Sequence, residues 1–308
     1  MAAVFETKGL TVGYGELKLF TDLDLHLNSG ELICFMGPNG CGKSTLIKTL
    51  AGLLGPLSGT VPKKDEKKVA VVLTDRIHSQ HMTVGELITY GRYPYLGWDL
   101  KLSDNDKAII NASIDRVRVR DLINKKINEL SDGQMQMAMI ARALAQDTPV
   151  LLLDEPTAHL DLNNRLEIMN LLRQLAREKD KSILLATHEL DLALQTADAV
   201  WLANGNTIKK GIPEDLVLDG SFDDVFQFKG YDLKTGKVQH EAYRKSAVKL
   251  IGDGPVLLWT KNALERNGFS VADSSQYVIE ITNHGWNFEG GKFKKLEELI
   301  EFISGKKF

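Results

Sequence analysis

The sequence has little cysteine, no long apolar run and no excess of positive charge. Its 308 residues include two cysteines, Cys34 and Cys41, which is too few for a disulfide framework and fits a reducing compartment. No stretch approaches the roughly 18 apolar residues that span a bilayer. The N-terminal segment MAAVFETKGL lacks the pattern of a secretion signal, and a net charge of -3 gives no reason to expect nucleic acid as a partner. We therefore expect a soluble cytosolic chain that reaches a membrane only through a partner.

Residues 1–220 alternate between strand-like and helix-like segments, which favours an α/β fold with a mostly parallel sheet covered on both faces. Short apolar runs have the length of buried strands: 31–36, 68–73, 150–153, 183–186 and 199–202. After Lys43, helical spacing is seen at Leu46, Ile47, Leu50, Leu53 and Leu54, and Gly52, Gly55 and Pro56 are expected to end that helix. A later helix has a predicted inner face: Ile168, Leu171, Leu172 and Leu175. Residues 83–145 are predicted to form a mostly helical subdomain, with a loop over 91–99.

Composition shifts near Gly220, and residues 221–308 predict a separate small α+β domain. The segment 276–282 alternates as a strand does, and 258–267 has the pattern of a helix. A last amphipathic helix is predicted from apolar spacing: Phe293, Leu296, Leu299, Ile300 and Ile303. The expected order of elements is strand–helix–strand–strand–helix.

A glycine-rich loop joins the strand 31–36 to the first helix. The sequence GPNGCGKST comprises Gly37, Pro38, Asn39, Gly40, Cys41, Gly42, Lys43, Ser44 and Thr45. Its spacing is that of the phosphate-binding loop, whose glycines let backbone N–H groups and the helix dipole face a nucleotide phosphate. We expect Lys43 to reach the β- and γ-phosphates of ATP, Ser44 to coordinate Mg²⁺ and Thr45 to contact the α-phosphate region.

Candidate catalytic groups follow two other strands, where open parallel sheets place their ligand-binding residues. In VLLLDEP, Asp154 ends a strand and Glu155 comes next. Alone, Asp-Glu-Pro is more often a helix start; beside a phosphate loop, we expect Asp154 to help hold Mg²⁺ and Glu155 to align or deprotonate the attacking water. His188 follows the strand 183–186, where a histidine is often a turn or capping residue, and near a phosphate site it is a candidate for contacting the γ-phosphate.

The segment NELSDGQMQMAMIAR places Gly133 in the first turn of a predicted helix, where alanine would be better by about 1 kcal/mol. Four motifs accompany the phosphate loop in a fixed order: LSDGQ (130–134), VLLLDEP (150–156), AHLD (158–161) and THE (187–189). With these motifs, residues 1 to about 220 resemble an ATP-binding-cassette (ABC) ATPase. The resemblance implies a P-loop NTPase fold in which a mixed sheet core carries a helical subdomain.

In this family the LSGGQ-type segment contacts ATP held by a second copy, so the resemblance implies a homodimer with two ATP molecules between its chains. It assigns phosphate contacts to the amides of Ser131, Gly133 and Gln134. Gly133 would then expose bare backbone, because a side chain would hold the two surfaces apart. The resemblance also implies that Tyr14 stacks on adenine, although alone it is more typical of a core or edge tyrosine, and that Asp161 links the two sites.

The family's catalytic glutamate matches Glu155, and its switch histidine matches His188. Two positions depart from the family pattern. Thr74 stands where a glutamine usually touches Mg²⁺ and couples to the membrane partner; threonine is shorter, and Asp75 and Gln80 are candidates to replace that glutamine. Asp132 replaces a glycine and is expected to repel phosphate unless its side chain points to solvent.

The segment MTVGELITYGRYPYLGW (82–98) resembles the permease-docking region of cassettes that energise uptake of iron-siderophores, haem and cobalamin. It implies the ATPase subunit of a metal-chelate importer on the cytoplasmic face of the inner membrane, working with a permease dimer and an extracytoplasmic substrate-binding protein. The alternative is a soluble regulatory or assembly ATPase whose C-terminal domain binds the client. Residues 221–308 resemble small regulatory domains of some importers, and both ligand sensing and a wider dimer interface are open roles.

Overall fold

The computed structural model describes residues 3–62, 69–74, 79–179, 181–238, 242–244, 247–282 and 284–305. The chain divides into two compact units, Met1–Gln227 and Phe228–Phe308. This division lies beyond the composition shift at Gly220 because the short helix Ser221–Phe226 packs within the first unit. In the described part of the chain, no helix combines the length and the apolar character needed to cross a membrane.

The elements of the first unit confirm the predicted alternation of strands and helices. Its strands are β1 (Ala3–Glu6), β2 (Lys8–Tyr14), β3 (Leu17–Leu23), β4 (His26–Asn28), β5 (Leu32–Met36), β6 (Ser58–Thr60), β7 (Val69–Val72), β8 (Val150–Asp154), β9 (Ser182–Ala186), β10 (Ala199–Asn204) and β11 (Thr207–Gly211). Its α-helices are α1 (Lys43–Leu50), α2 (Val84–Thr89), α3 (Asp104–Val117), α4 (Asp132–Ala145), α5 (Leu162–Lys179), α6 (Leu190–Thr196), α7 (Pro213–Leu218) and α8 (Ser221–Phe226). Short 3-10 helices cover Tyr90–Tyr95, Arg120–Leu122 and Ile127–Glu129.

The central sheet has the strand order β11-β10-β5-β9-β8-β7. Neighbouring strands from β10 to β7 are parallel, and β11 is an antiparallel edge strand. Strands β5, β8 and β9 are buried along their whole length, as continuous apolar runs in a covered parallel sheet should be. Their carboxyl ends meet at one edge of the sheet, so the loops that begin at Gly37, Glu155 and Thr187 lie side by side.

A smaller antiparallel layer packs against this sheet. It consists of the strands β3-β2-β6 and the pair β1-β4. Apolar side chains of β2 and β3 share one core with the central sheet and α1, and the rings of Phe20 and Phe35 lie 5.8 Å apart between centroids. This packing brings the end of β2, which carries Tyr14, close to the start of α1.

Helix α1 ends at Leu50, ahead of the predicted stop at Gly52. Gly52 has a φ of 69°, and the Leu53 N–H donates to the Lys48 carbonyl at 2.9 Å, which closes the helix with a left-handed cap. The expected stop at Gly52 is confirmed, and the helical spacing of Leu53 and Leu54 does not extend the helix, since Leu53 lies beyond it and is 51% exposed. The buried face of α5 is confirmed at all its predicted positions: Ile168, Leu171, Leu172 and Leu175.

Helices α2, α3 and α4 form the helical part of the first unit. Each begins with a reciprocal capping box, in which a serine or threonine side chain accepts from the third residue's N–H and that residue's side chain accepts in return. The pairs are Thr83 with Glu86, Ser103 with Asp106, and Ser131 with Gln134. The local sequence therefore sets where all three helices start.

The loop expected over 91–99 is in part a 3-10 helix, Tyr90–Tyr95. Gly91 permits its close approach to α4, because a Cβ there would lie 2.3 Å from the Arg142 carbonyl oxygen. Arg92, 4% exposed, donates from Nε to Asp106 at 2.8 Å and from Nη1 to the Ala145 carbonyl at 3.1 Å. These contacts join the 3-10 helix to α3 and α4.

The second unit is an α+β domain, as predicted. Its elements are β12 (Tyr231–Asp232), β13 (Lys237–Val238), β14 (Ala247–Ile251), α9 (Gly254–Arg266), β15 (Ser270–Val271), β16 (Val278–Thr282), β17 (Gly285–Phe288), β18 (Gly291–Phe293) and α10 (Leu296–Gly305). A sheet of order β15-β14-β16-β17-β18 encloses a core with α9 and α10. Three predictions need correction. Helix α9 begins at Gly254, Phe293 belongs to β18 instead of the last helix, and the strands β15 to β18 lie between α9 and α10 where two strands were expected.

Candidate active site

The phosphate loop lies between β5 and α1, at the carboxyl edge of the central sheet. Gly40 and Gly42 have φ values of 77° and 106°, a region that favours glycine. Lys43 is 5% exposed, and its Nζ donates to the carbonyls of Gly37 at 2.9 Å and Pro38 at 3.2 Å. The loop thus holds an ammonium group over the N-terminus of a helix, and this combination attracts a polyphosphate.

A buried carboxylate faces this loop from the end of β8. Asp154 is 3% exposed, and its Oδ1 accepts from the Ser44 hydroxyl at 3.0 Å. Burial raises the pKa of the Asp154 carboxyl and the nearby Glu155 carboxylate also raises it, while hydrogen bonds from Ser44 and Thr74 oppose the shift. A hydroxyl and a carboxylate are hard oxygen donors, which fit Mg²⁺.

Thr74 also contacts this carboxylate. Its hydroxyl lies 3.1 Å from Asp154 Oδ2 and 3.2 Å from the Asp154 carbonyl oxygen. Threonine is shorter than the glutamine it replaces, and it still reaches the Asp154 side chain. Of the two candidate substitutes, Gln80 lines a cavity with Thr74 and Glu155, and Asp75 lies outside the described residues.

Glu155 and His188 meet where β8 and β9 end. The Glu155 backbone has a φ of 49°, and its N–H donates to the Ala186 carbonyl at 2.9 Å. The carboxylate points toward the neighbouring strand end, where His188 Nδ1 lies 3.5 Å from Glu155 Oε2. His188 is 48% exposed at its side chain, so a substrate can approach this pair from solvent.

Two residues beside this pair were missed by sequence reasoning. Glu189 Oε1 lies 3.5 Å from His188 Nε2, and Glu189 Oε2 accepts from Arg165 Nη1 at 2.8 Å. Arg165 also donates from Nε to the Leu160 carbonyl at 2.7 Å. Glu189 directly follows the THE histidine and could have been noticed, but no sequence signal pairs it with Arg165 on another helix.

Tyr14 borders the other end of the phosphate loop. It is 52% exposed, and its hydroxyl lies 3.3 Å from Thr45 Oγ1. An accessible aromatic ring beside the phosphate loop is suited to stacking on a base. The structure therefore groups Tyr14 with the loop residues, and its role toward adenine stays a prediction.

The signature segment starts helix α4. The Ser131 side chain accepts from the Gln134 N–H at 3.3 Å, and the Gln134 side chain accepts from the Ser131 N–H at 3.2 Å. Gly133 is buried, and a Cβ at that position would lie 3.0 Å from Asn164 Cγ. In the single chain Gly133 does not expose bare backbone as expected; it packs against Asn164.

Asn164 connects this glycine to the AHLD segment. Asp161 Oδ1 accepts from the Asn164 N–H at 2.9 Å, and Asp161 Oδ2 accepts from Asn164 Nδ2 at 2.8 Å. Asp161 thereby starts α5 and fixes the side chain that Gly133 touches. Among the described residues, Ser131 contacts Gln134, and both Gly133 and Asp161 contact Asn164. None of these contacts involves their own chain's phosphate loop.

A cavity of about 420 Å³ lies between the start of α4 and the end of β8. Its lining includes Thr74, Gln80, Asp132, Glu155 and His159. Asp132 is exposed and lines this cavity together with apolar residues of both segments. The cavity gives water access to Glu155 from the side of the helical subdomain.

This arrangement is that of an ATP-binding-cassette ATPase. The phosphate loop and the buried Asp154 lie beside the glutamate–histidine pair, and a helical insertion carries the capped signature helix. Comparison with known proteins agrees: a family model for the ABC transporter matches residues 20–158, and one for the iron ABC transporter C-terminal domain matches residues 244–304. The chain belongs to the ATP-binding proteins of ABC transporters, which are ATPases.

Several relatives are similar over about three quarters of this chain or more. An uncharacterised ABC transporter ATP-binding protein of Methanocaldococcus jannaschii is 40% identical over 75% of this chain and 82% of its own length. A petrobactin import ATP-binding protein of Bacillus anthracis is 34% identical over 74% of this chain and 88% of its own. A cobalamin import ATP-binding protein of Halobacterium salinarum is 31% identical over 81% of this chain and 68% of its own.

Solved structures give the same fold. A structure described as an inward-facing conformation of a metal-chelate type ABC transporter has a TM-score of 0.68 and 26% identity, over 73% of this chain and 90% of its own. A dimeric bacterial ABC transporter cassette has a TM-score of 0.60 and 24% identity, over 68% of this chain and 98% of its own. The second likeness shows the fold alone.

Proposed function

We propose that this chain is the ATP-hydrolysing subunit of an importer for a metal chelate of the iron-siderophore, haem or cobalamin type. It acts as a homodimer at the cytoplasmic face of the inner membrane, beneath a permease dimer that receives cargo from an extracytoplasmic binding protein. Relatives named for siderophore and cobalamin import support this class of cargo. The observation that carries the proposal is an open apolar groove on the helical subdomain, on the same unit as the ATP site.

Nucleotide binding is assigned to the phosphate loop and its neighbours. Backbone N–H groups over 37–45 and the Lys43 ammonium hold the phosphates, and Tyr14 holds the base. Ser44 and Asp154 would hold Mg²⁺, since their oxygens already lie 3.0 Å apart and match its ligand preference. When bound, the ion neutralises the negative charge that develops on the phosphates.

Hydrolysis is assigned to the pair at the strand ends. Glu155 aligns the attacking water and accepts its proton, because its carboxylate lines the water-accessible cavity. His188 lies beside that carboxylate and contacts the γ-phosphate from the next strand end. The two groups come from adjacent parallel strands, so the sheet fixes their separation.

The second half of each ATP site comes from another copy of the chain. The signature residues Ser131, Gly133 and Gln134 and the loop residue Asp161 are grouped away from their own phosphate loop. An antiparallel pairing of two copies places each signature helix N-terminus over the partner's nucleotide, where its amides and dipole stabilise negative charge. This arrangement makes closure of the dimer depend on ATP.

The groove on the helical subdomain is the proposed permease contact. It has a volume of about 800 Å³, and its lining includes Met82, Thr89, Tyr90, Tyr93 and Ile114. Tyr90 and Tyr93 are 52% and 57% exposed, and Trp98 nearby in sequence is fully exposed. Exposed aromatic and apolar side chains around a groove suit a helix from a partner protein.

Co-expression with the permease tests this function. We expect the chain to co-purify with it, and ATP turnover in proteoliposomes to rise when the binding protein and its chelate are added. Tyr93→Glu should abolish co-purification and leave ATP binding intact, whereas Leu218→Glu, at a 69% exposed site on α7, should change neither. Full turnover of the soluble chain, unaffected by any permease, would support the regulatory alternative instead.

A further inference from the structure

We propose that Glu189 and Arg165 are positioning residues that orient His188 and tie its position to the loop 158–161. The inference rests on the roles in hydrolysis proposed for His188 and Glu155. Neither Glu189 nor Arg165 touches the phosphate loop through any contact of the described residues. They act through the contacts that they make with His188 and with the loop.

Two contacts besides the one with His188 fix the position of Glu189. Its N–H donates to the Thr187 hydroxyl at 3.0 Å, and its Oε2 accepts from Arg165 at 2.8 Å. The side chain is only 16% exposed, so solvent screens this ion pair less than a surface pair. Oε1 remains directed at His188 Nε2, at 3.5 Å.

The imidazole of His188 therefore lies between two carboxylates. Nδ1 faces Glu155 and Nε2 faces Glu189, each at 3.5 Å. A carboxylate beside a ring nitrogen restricts the plane of the ring, as in other sites where a third group orients a histidine. Both distances exceed that of a formed hydrogen bond, so one ring nitrogen can leave its carboxylate and turn to the γ-phosphate while the other contact keeps the ring oriented.

Arg165 connects this arrangement to the loop. The same guanidinium donates from Nη1 to Glu189 and from Nε to the Leu160 carbonyl at 2.7 Å. Leu160 precedes Asp161, the residue expected to face the second ATP site. Because the guanidinium is planar and rigid, a displacement of the Leu160 carbonyl moves Glu189 and hence the support of His188.

The chain offers a matched ion pair for comparison. Arg173, on the same helix as Arg165, lies 3.5 Å from Asp198, and their side chains are 27% and 31% exposed. Asp198 accepts from the Leu32 N–H at 3.0 Å and directly precedes β10. This pair therefore joins α5 to the central sheet at a comparable depth, on the far side from His188.

The test measures ATP turnover and ATP binding in full-length variants with their permease. Glu189→Gln keeps the side-chain shape and removes its charge, and Arg165→Lys keeps the charge but loses the rigid planar group that donates from two separate nitrogens. Each should lower kcat about tenfold with little change in KM. The double variant should be no slower than the worse single variant, because both changes break one connection. Arg173→Gln should match the wild-type chain in both constants.

Three results overturn the positioning role: wild-type kcat in Glu189→Gln, losses that add in the double variant, or an equal loss in Arg173→Gln. If Glu189→Gln fails to fold, Arg165→Lys carries the same kcat test. A wild-type chain that does not hydrolyse ATP would refute the proposed function itself. The two failures are thus distinguishable.

Discussion

The Thr74 hydroxyl lies 3.1 Å from Asp154 Oδ2, and the Ser44 hydroxyl lies 3.0 Å from Asp154 Oδ1. Both oxygens of one buried carboxylate are therefore paired with hydroxyls from different loops. This relationship gives the threonine a place beside the proposed metal site. It also accounts for a shorter side chain at a position where the family usually has glutamine.

Removing the Thr74 hydroxyl should weaken Mg²⁺ binding. Thr74→Val keeps the shape but removes the hydrogen bond to Asp154, worth about 1 kcal/mol, so about fivefold more Mg²⁺ should be needed for half-maximal turnover. Binding of Mn²⁺, followed by its paramagnetic signal, should weaken by a similar factor. Thr74→Ser is the control that retains the hydroxyl. Equal metal dependence in Thr74→Val and wild type would rule out this role.

Neutralising Asp154 should stabilise the nucleotide-free chain at neutral pH. In the folded chain, burial holds the pKa of this carboxyl above its ordinary value of 3.8. The unfolded chain therefore loses this proton at a lower pH, and the free energy of unfolding falls as pH rises from 3.8 through the folded-state pKa. Asp154→Asn should therefore melt at a higher temperature than wild type at pH 7.5, with a gain that shrinks as pH falls toward 3.8. Melting without nucleotide or metal measures this difference.

Asp219 supplies a control of opposite sign. Lys209 and Ser221 hold the pKa of its carboxyl at about 2, so its stabilising effect is present above pH 3.8 and is lost only as pH falls toward 2. Asp219→Asn should melt at a lower temperature at pH 7.5. If both variants shift the melting temperature in the same direction at pH 7.5, the electrostatic account of Asp154 fails.

Gly133→Ala should disturb both the fold and ATP turnover. The new methyl would lie 3.0 Å from Asn164 Cγ, so the Asn164 side chain, which Asp161 holds, must shift; such overpacking costs about 1–3 kcal/mol, which outweighs the gain of about 1 kcal/mol from alanine in a helix. Asn164→Ala removes the clash, so the double variant should regain stability. If Gly133 also faces ATP across the dimer, turnover should stay low in the double variant. If both stability and ATP turnover recover in the double variant, Gly133 is needed only for packing within its own chain.

Ending the chain after Gln227 should leave ATP affinity unchanged. All the proposed nucleotide contacts lie in the first unit, and the second unit has its own core of apolar residues from its sheet and helices. Transport with and without candidate ligands would then separate sensing by 228–308 from a purely dimer-widening role. A loss of ATP binding in the shortened chain would contradict this division of labour.

Much of the catalytic edge could be predicted because its residues directly follow apolar strands. The strand β8 carries Asp154 and the loop after β5 carries Lys43, so local pattern and parallel topology together bring them to one edge. The contacts of Gly133 with Asn164 and of Arg165 with Glu189 join different elements, and sequence spacing does not encode such pairs. By contrast, the stop of α1 at Gly52 could be predicted, because a glycine after a helical run favours a left-handed cap.

The Glu155→Gln variant, which should bind ATP without hydrolysing it, tests the central claim most directly. With saturating ATP and Mg²⁺, we expect a stable dimer in solution and, in its structure, the Gly133 amide of each subunit about 3 Å from the γ-phosphate bound by the other. A monomer under these conditions, or a structure in which Gly133 is distant from every bound triphosphate, would contradict the proposal of a shared ATP site.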